Sequence, residues 1–151
     1  MGRRISGSSF DTELLGETMH IEKATVTITD NSAVALTNGI PDGFIDGDVA
    51  AEIELEVSTK YLPSIIKAAK SAGSFRELDT DDIMFFADTG SEELKVECFG
   101  VKLVMDSILD FESKGAEVLT HKLKGFVTSP DFVHIGGVPY LSDDDTRNLL
   151  G

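Results

Sequence analysis

Acidic residues and glycines alternate in one polar segment, where the spacing of the acids could suit a calcium ion. Read as an EF-hand loop that begins at Asn38, the segment places Asp42 at position five and Gly43 at position six. Such a loop also needs an oxygen ligand at position three and a bidentate acid at position twelve. Ile40 and Val49 occupy those positions instead. We therefore expect no calcium site here.

The residues that most often carry catalysis or bind metals are scattered along the chain. His20, His121 and His134 are far apart in the sequence and match no zinc pattern. No serine has the spacing of a nucleophile elbow, and no glycine-rich segment completes a phosphate-binding loop. Cys98, the only cysteine, lies on the apolar phase of a predicted strand, so we expect a core residue rather than a reactive thiol. The sequence predicts neither an enzyme nor a bound cofactor or metal.

The charge balance argues against one class of partners. The chain has 151 residues with 27 acidic and 13 basic side chains, which gives a net charge of −14. Proteins that grip nucleic acid gain affinity by neutralising phosphates with lysine and arginine, and no run of basic residues is present. We therefore expect no specific nucleic-acid binding. The acidic charge has two interpretations, which are simple solubility and a surface that must not adhere to DNA.

Length and composition fit one domain with one hydrophobic core. No apolar run approaches the roughly 18–20 residues that a membrane helix needs. Arg3 and Arg4 have no apolar run behind them, so we expect no signal peptide and synthesis in a reducing cytoplasm. We predict a single domain over 1–151, with a flexible arm at 1–10 and a frayed tail at 142–151.

Strands dominate the secondary structure that must position these residues. The clearest strand spans 51–57, where apolar and acidic residues alternate with the period of two of a strand with one buried face. The inward residues are Ile53, Leu55 and Val57, and the outward residues are Glu52, Glu54 and Glu56. Other strands are predicted at 8–15, 24–29, 83–87, 94–105, 118–127 and 131–135. The chain is therefore predicted to be mainly β.

Two changes of apolar phase predict β-bulges. Gly100 stands where the apolar phase shifts within the strand at 94–105, and a glycine at such a shift is typical of a bulge or bend. Met19 and Ile21 lie on the opposite phase to the strand that follows them. A bulge near Glu22 or Lys23 would reconcile the two phases.

One amphipathic helix is predicted from about Lys60 to Ala72. Its apolar residues recur at i, i+3, i+4 and i+7 and form a single stripe, which should pack on the sheet. This core stripe consists of Leu62, Ile65, Ile66 and Ala69. Ser58 or Thr59 can cap the start of the helix, and Gly73 can close its end.

The segment 31–48 joins two strong strands without a predicted strand or helix of its own. A connection longer than about 12–15 residues is unusual and is generally functional or disordered. This segment also carries apolar residues that a purely flexible linker would lack. We predict an extended hairpin arm that docks on a neighbouring molecule.

Several short segments, read together, resemble the small tail tube proteins of contractile-tailed phages and related prophages. These segments are 3–7, 10–11, 28–31, 41–43, 46–51, 71–76, 127–133 and 137–141. Their order and number carry the resemblance, which covers the chain as far as Leu141. It implies a mainly β fold with one packed α-helix (α+β), an antiparallel β-sandwich or barrel of the phage tail tube type.

The resemblance also implies a structural role in the virion tail. It implies that six copies form a ring, and that rings stack into a hollow conduit for DNA ejection. The implied partners are other copies of the chain and the tail sheath, tape measure and baseplate proteins. The arm would contact the next ring, and the residues assigned to that contact are Val34, Leu36, Ile40, Asp42, Phe44 and Ile45.

Electrostatics suggest how such a conduit could pass DNA without holding it. Fixed negative charge on the lumen repels phosphates and removes the counterion-release gain that drives DNA binding. The candidate lumen acids are Glu52, Glu54 and Glu56, because the opposite face of their strand is apolar. The alternative is that these acids lie on the tube exterior beneath the sheath.

Two other functions are compatible with the same sequence. A tube subunit of a type VI secretion-like contractile system would share the architecture, with a lumen that carries effectors instead of DNA. A monomeric β-barrel binding module or small hydrolase would instead have a concave apolar pocket with converging polar groups.

Overall fold

The computed structural model describes residues 3–115 and 118–146, and strands form most of the regular structure. The strands are β1 Asp11–Leu14, β2 Glu17–Met19, β3 Lys23–Asp30, β4 Ala33–Thr37, β5 Ile40–Ile45, β6 Val49–Ser58, β7 Asp81–Asp88, β8 Glu93–Met105, β9 Thr120–Val127, β10 Val133–Ile135 and β11 Val138–Pro139. The α-helices are α1 Leu62–Ala72 and the single turn α2 Asp143–Thr146, and Gly7–Ser9 form one turn of 3-10 helix. The predicted mainly β architecture with one packed helix is confirmed.

The strands form one large antiparallel sheet and one separate hairpin. The main path runs β2-β1-β7-β8-β9-β6-β3, with β10 added beside β8 and β11 beside β10. The two ends of this path, β2 and β3, are consecutive in the chain and are joined only by residues 20–22. Because such a connection spans at most about 14 Å, the two ends lie close together. The sheet therefore curls back on itself into two packed layers with an open seam.

Strand β8 passes from one layer to the other. Its first half pairs with β7, and its last five residues pair with β9. Gly100 stands at this change of partner with a φ of +62°. The register shows an extra residue there, because Asp81 faces Val101 whereas Ile83 faces Cys98. The bulge predicted at Gly100 is confirmed, and it gives β8 the bend that a strand needs to switch layers.

The second predicted bulge, near Glu22 or Lys23, is wrong. Met19 belongs to β2, which pairs with β1, whereas Lys23 begins β3, which pairs with β6. Met19 is buried and Ile21 is half-buried in the short connection between the two strands. The apolar phase changes because the chain changes its partner strand, and not because one strand contains an extra residue.

The core lies between the two layers and follows the alternation of the sequence. Ile53, Leu55 and Val57 of β6 are fully buried. Across the ladder, Val26 of β3 faces Ile53, and Leu123 of β9 faces Leu55. Each fully buried side chain of this size contributes about 1.5–3 kcal/mol relative to exposure. The packing of β6 therefore fixes its opposite face toward the outside.

Helix α1 begins two residues later than predicted and ends where predicted. The predicted cap by Ser58 or Thr59 is wrong, because the residue before the helix is Tyr61 and its side chain makes no capping hydrogen bond. At the other end, Gly73 adopts a φ of +106° and donates its N–H to the carbonyl of Ala69 at 2.9 Å. This is the expected glycine C-cap.

The buried stripe of α1 is narrower than predicted. Ile65 and Ala69 are buried and Leu62 is half-buried, but Ile66 is 46% exposed. Successive helical residues are about 100° apart around the axis, so Ile66 lies on the flank of the helix. Its assignment to the core is therefore wrong. Within the described ranges, neither helix has the length and apolar character that crossing a membrane requires.

The segment 31–48, which we call the arm, forms a hairpin whose two strands had not been assigned from the sequence. Strands β4 and β5 pair only with each other, apart from the main sheet. Asn38 and Gly39 form the turn between them with φ values of +54° and +77°. Asn-Gly is the strongest short-range signal for a two-residue hairpin turn, because both residues tolerate positive φ. The hairpin form of the arm is therefore present, and its strands could have been found from this dipeptide.

Hydrogen bonds hold both ends of the described chain. Near the N-terminus, the hydroxyl of Thr89 in the β7–β8 turn donates to the carbonyl of Arg3 at 2.9 Å. Near the C-terminus, Ser142 and Asp145 form a capping box, with the Ser142 N–H donating to Asp145 Oδ2 at 2.9 Å. The rest of the tail predicted to fray, 147–151, lies outside the described residues.

Candidate assembly surfaces

The arm presents five large apolar side chains that the described part of the chain leaves uncovered. They are between 60% and 74% exposed, and they are Val34, Leu36, Ile40, Phe44 and Ile45. Every residue of β5 is exposed. An isolated two-stranded hairpin is only marginally stable in water, and exposed apolar patches of this size commonly mark contact sites. The arm is thus a suitable contact surface, while the docking itself stays a prediction.

Asp42, the sixth residue assigned to the contact, also has a role inside the arm. Its Oδ2 accepts a hydrogen bond from Thr37 Oγ1 at 2.8 Å. This bond joins β5 to β4 next to the turn at Asn38 and Gly39. The carboxylate therefore braces the tip of the hairpin.

The root of the arm is tied to the C-terminal segment through Asp30. Its Oδ1 accepts hydrogen bonds from the hydroxyl of Ser32 at 2.6 Å and from the Ser32 N–H at 3.0 Å. Its Oδ2 accepts a hydrogen bond from the hydroxyl of Tyr140 at 2.7 Å. Ser32 first, and then Tyr140, hold the pKa of Asp30 below its ordinary value, and the bond to Asp30 raises the pKa of Tyr140. Asn31 N–H closes the root by donating to the carbonyl of Asp48 at 2.9 Å.

The three candidate lumen acids point outward from β6, but lysines of the neighbouring strands accompany them. Across the ladders, Glu54 faces Lys124, and Glu56 faces both Lys122 and Lys23. Two ion pairs form on this face, Lys122 Nζ to Glu56 Oε1 at 3.7 Å and Lys124 Nζ to Glu52 Oε1 at 3.8 Å. We call this surface the β3–β6–β9 face. Its acids do not form an isolated row of negative charge, because three lysines offset three glutamates.

The lysines were missed because they come from strands that are distant in sequence. His121, Lys122, Leu123 and Lys124 alternate between buried and outward positions on β9. That alternation was visible in the sequence, but the partner of β9 was not. Only the sheet order places its lysines beside the glutamates of β6.

Three of the residues that could have carried chemistry, Cys98, His121 and His134, are built into the packing, whereas His20 is exposed. Cys98 is fully buried, and burial raises the pKa of its thiol to about 11. His121 is buried with its Nδ1 donating to the carbonyl of Ile108 at 2.6 Å, while its Nε2 bonds the hydroxyl of Thr59 at 2.9 Å. The ring of His134 packs edge-on against Phe99 with centroids 4.6 Å apart. Among the described residues, no group of three or more potential ligands could hold a metal ion.

An apolar cavity of about 630 Å³ lies at the seam of the curled sheet. Its lining includes Phe10, Ile21, Val26, Phe85 and Leu94, which come from both layers. The concave apolar pocket expected for a monomeric binding module is therefore present. The cavity also follows directly from the way the sheet fails to close between β2 and β3.

A second exposed apolar cluster, which the sequence analysis missed, lies in the connection from β8 to β9. We call residues 106–115 with 118 and 119 the β8–β9 loop. Its exposed apolar residues are Ile108, Leu109, Phe111 and Val118. Adjacent antiparallel strands can be joined by two to five residues, so the length of this connection was an available signal. Its base is fixed, since Asp106 N–H donates to the Lys122 carbonyl at 3.0 Å and Lys122 N–H donates to the Ser107 carbonyl at 2.9 Å.

Comparison with known proteins identifies the family of this chain. The model of the family described as Bacteriophage HP1, Orf24 matches residues 8–141. A protein of Haemophilus phage HP1 (strain HP1c1), named "Putative tail tube protein", is 52% identical over 148 residues, which cover 98% of this chain and 99% of the relative. The chain belongs to this family of phage tail tube proteins. The family assignment made from the sequence is confirmed.

Solved structures of similar fold support the architecture. One is a tube-containing assembly of an extracellular contractile injection system, the PVC sheath-tube complex in its extended state. It has a TM-score of 0.66 and 12% identity, and the match covers 89% of this chain and 93% of that one. Another is a chain of the virion of a native gene transfer agent particle, with a TM-score of 0.57, 10% identity, and coverage of 87% and 98%. At these identities the likeness concerns the fold alone.

Proposed function

We propose that this phage tail tube protein forms six-membered rings that stack into a hollow conduit for DNA ejection. The observation that carries the proposal is the arm, which exposes five large apolar side chains on a hairpin set apart from the main sheet. A contact with another copy would bury them. In this proposal the chain is a structural, non-enzymatic subunit without a cofactor, made in the host cytoplasm and carried in the virion tail.

The proposed contact between rings uses the arm residues Val34, Leu36, Ile40, Asp42, Phe44 and Ile45. Burial of apolar surface contributes about 25 cal/mol per Å². Each subunit of a ring would gain this contribution once, through its own arm. The hydrogen bond from Thr37 to Asp42 supports the hairpin before it docks. Less conformational entropy is then lost when the arm binds.

The proposed lumen wall is the β3–β6–β9 face, which includes Glu52, Glu54 and Glu56. Its lysines bring the local charge close to zero. We therefore propose that this face neither attracts phosphates nor repels them strongly. The long-range repulsion of DNA then comes from the whole subunit, whose net charge is −14. Six copies carry roughly −84 before screening by salt.

The proposed partners beyond other copies are the tail sheath, the tape measure protein and the baseplate. The PVC relative is named for a complex of sheath and tube, and the same kind of partner is proposed for this chain. Direct recognition of a DNA sequence is not part of the proposal, because the net charge is strongly negative.

A tube of a type VI secretion-like system is the nearest alternative function. The relative that is 52% identical comes from a phage, which favours the phage tail. Neighbouring genes separate the two functions, because capsid and tape measure genes accompany a phage tail and an ATPase and sheath cluster accompanies a secretion system. A monomeric binding module remains the second alternative on account of the seam cavity.

Negative-stain electron microscopy of the purified chain tests the proposal most directly. Rings or tubes as wide as a phage tail core are expected, either spontaneously or after concentration. A protein that sediments as a monomer at all concentrations and shows no rings contradicts the proposal and favours the binding module.

A further inference from the structure

Two exposed apolar clusters, the arm and the β8–β9 loop, lie at opposite ends of strand β6. At one end, Val49 pairs with Asp30, and the arm leaves the sheet between these two residues. At the other end, Ser58 pairs with Thr120, which directly follows the β8–β9 loop. The ten residues of β6 span about 30 Å. The arm and the β8–β9 loop are therefore separated by the length of the sheet.

The β8–β9 loop is held in place at its base while its apolar side chains face outward. His121 supports it from below, since its ring donates to the Ile108 carbonyl at 2.6 Å. Beyond this anchor, Phe111 is 64% exposed and Val118 is 72% exposed. Between the loop and the sheet lies an open cleft of about 620 Å³, whose lining combines Phe111, Val118 and Leu119 with the charged residues Glu56, Asp110, Glu112 and Lys122.

Stacking of identical subunits in one direction constrains which surfaces can meet. A head-to-tail contact joins two different surfaces, so a feature at one end of the subunit must meet a feature at the other end of the next copy. An arm cannot meet an arm in such a stack. The β8–β9 loop is an exposed apolar cluster at the end of β6 opposite to the arm.

We propose that the arm of one copy docks on the β8–β9 loop of the copy in the adjacent ring. This inference rests on the proposed function, because it requires that copies stack. Val34 and Phe44, which pair across the hairpin, would pack on Leu109, Phe111 and Val118.

The area available is sufficient for a specific contact. Burying the exposed apolar side chains of both clusters removes on the order of 600 Å² of apolar surface. With the polar backbone around them, the contact reaches about 1,000 Å² of total buried area, which is the size that a specific interface requires. Either cluster by itself supplies only part of that area.

The seam cavity is the competing acceptor for the arm. It is also apolar and large enough for side chains of this kind. It lies between the two layers beside β3, and Lys23 and Ala24, which line it, pair with Glu56 and Leu55 toward the same end of β6 as the β8–β9 loop. The loop is the better acceptor because its apolar side chains are exposed, whereas Phe10, Ile21 and Val26 of the cavity lining are already half-buried against the core.

Cysteine cross-linking distinguishes these acceptors. We would combine Asp46→Cys with Asp110→Cys, or Asp46→Cys with Glu112→Cys, at positions beside the apolar side chains of the proposed contact, in assembled protein treated with a short bis-maleimide. All three residues are exposed or at the surface, so the substitutions leave the core intact. The native Cys98 is buried with its pKa raised to about 11, and it contributes little thiolate. The matched control pairs Asp46→Cys with Leu94→Cys, which lines the seam cavity.

The expected result is a ladder of covalent dimers, trimers and longer chains for at least one of the two loop pairs, with no ladder for the Leu94 pair or for single variants. Tubes that form normally but give no ladder with either loop pair overturn the inference and leave the proposed function intact. A ladder with Leu94→Cys in place of the loop pairs also overturns it. If the unmodified chain forms neither rings nor tubes, the proposed function fails, and the inference fails with it.

Discussion

At the scale of single residues, Asp30 connects two parts of the chain that are 110 residues apart in sequence. Its carboxylate accepts hydrogen bonds from Ser32 at the root of the arm and from Tyr140 in the C-terminal segment. These bonds favour the ionised carboxylate and hold its pKa below the ordinary value of 3.8. A depressed pKa stabilises the folded state at every pH above the ordinary pKa of the group. This stabilisation is lost as the pH falls through the lowered pKa.

Titration of Asp30 tests this arrangement. Ser32→Ala removes the largest cause of the depressed pKa, and Tyr140→Phe removes the second, so both variants should raise the pKa of Asp30 toward 3.8. The increase should be greater for Ser32→Ala. NMR titration of the Asp30 carboxyl carbon measures both values. An unchanged pKa in both variants, or a larger effect from Tyr140→Phe, contradicts the order of causes.

Single residues also show where sequence reasoning succeeded and where it could not. The burial of Cys98 was predicted from the apolar phase of its strand, which is local information. The outward direction of Glu52, Glu54 and Glu56 was equally local. The lysines that accompany these acids could not be assigned, because Lys23, Lys122 and Lys124 reach them only through the pairing of distant strands.

At the scale of secondary structure, the bend of β8 depends on Gly100. A Cβ atom at this position would lie 2.9 Å from the Cβ of Ser129 and 3.0 Å from its backbone nitrogen. The positive φ adds strain of about 1–2 kcal/mol for any other residue. Both terms oppose substitution at the point where β8 changes layers.

Gly100→Ala should therefore lower the free energy of unfolding by about 2–4 kcal/mol, combining backbone strain with overpacking. Gly90→Ala is the matched control, since Gly90 also has a positive φ but a Cβ there would meet nothing within 4 Å. That variant should lose only about 1–2 kcal/mol. Urea unfolding of the two variants measures the difference. Equal losses would show that the contact with Ser129 has no energetic role.

Removal of the arm separates folding from assembly. Asn31 and Asp48 are hydrogen-bonded across the root, so replacing residues 33–46 by two glycines should close the gap without strain. We expect a folded domain whose melting temperature changes by a few degrees and which forms no tubes. Circular dichroism and negative-stain microscopy measure the two properties.

The variant Phe44→Asp provides the control for that deletion, because it keeps the hairpin and changes only its most exposed aromatic residue. It should also fold normally and assemble poorly, since a charge would be buried in the contact. Normal tubes from the deletion variant would falsify the role of the arm in stacking.

The elements that sequence analysis predicted well are those whose pattern is complete within one segment. The alternation of β6, the apolar run of β7, the helix α1 and its Gly73 cap all belong to this group. The break between β2 and β3 was missed because it reflects a change of partner. The strands of the arm were missed because apolar and polar residues do not alternate regularly along β5, so the turn at Asn38 and Gly39 carried the signal.

At the scale of the whole molecule, charge and apolar contacts act in opposite directions. A subunit with a net charge of −14 repels its copies, and this repulsion is screened within about 10 Å at 0.1 M salt. The apolar surfaces of the arm and the β8–β9 loop attract. Assembly should therefore become easier as salt is added, in contrast to an assembly held by ion pairs.

Charge variants can locate the lumen. The double variant Lys122→Gln with Lys124→Gln removes both ion pairs of the β3–β6–β9 face, and its subunit stability should change by only about 0–1 kcal/mol because the pairs are exposed. Around a narrow lumen, however, the uncompensated glutamates of six copies lie close together. The salt concentration needed for half-maximal tube formation should rise at least twofold, as measured by sedimentation.

The matched control for this experiment is Lys67→Gln with Lys70→Gln on the exposed side of α1, which makes the same change in net charge elsewhere. If this control needs as much added salt as the β9 variant, the β3–β6–β9 face is not the lumen. A smaller requirement in the control supports the lumen assignment.

The position of the arm and the β8–β9 loop at opposite ends of β6 has a consequence for the dimensions of a finished tail. If successive rings meet through the arm and the β8–β9 loop, the distance between rings is set by the length of β6 and of these two segments. Each ring then adds the same fixed length to the tail. Overall tail length becomes a matter of how many layers are added, and a two-residue change in β6 would be multiplied by that number.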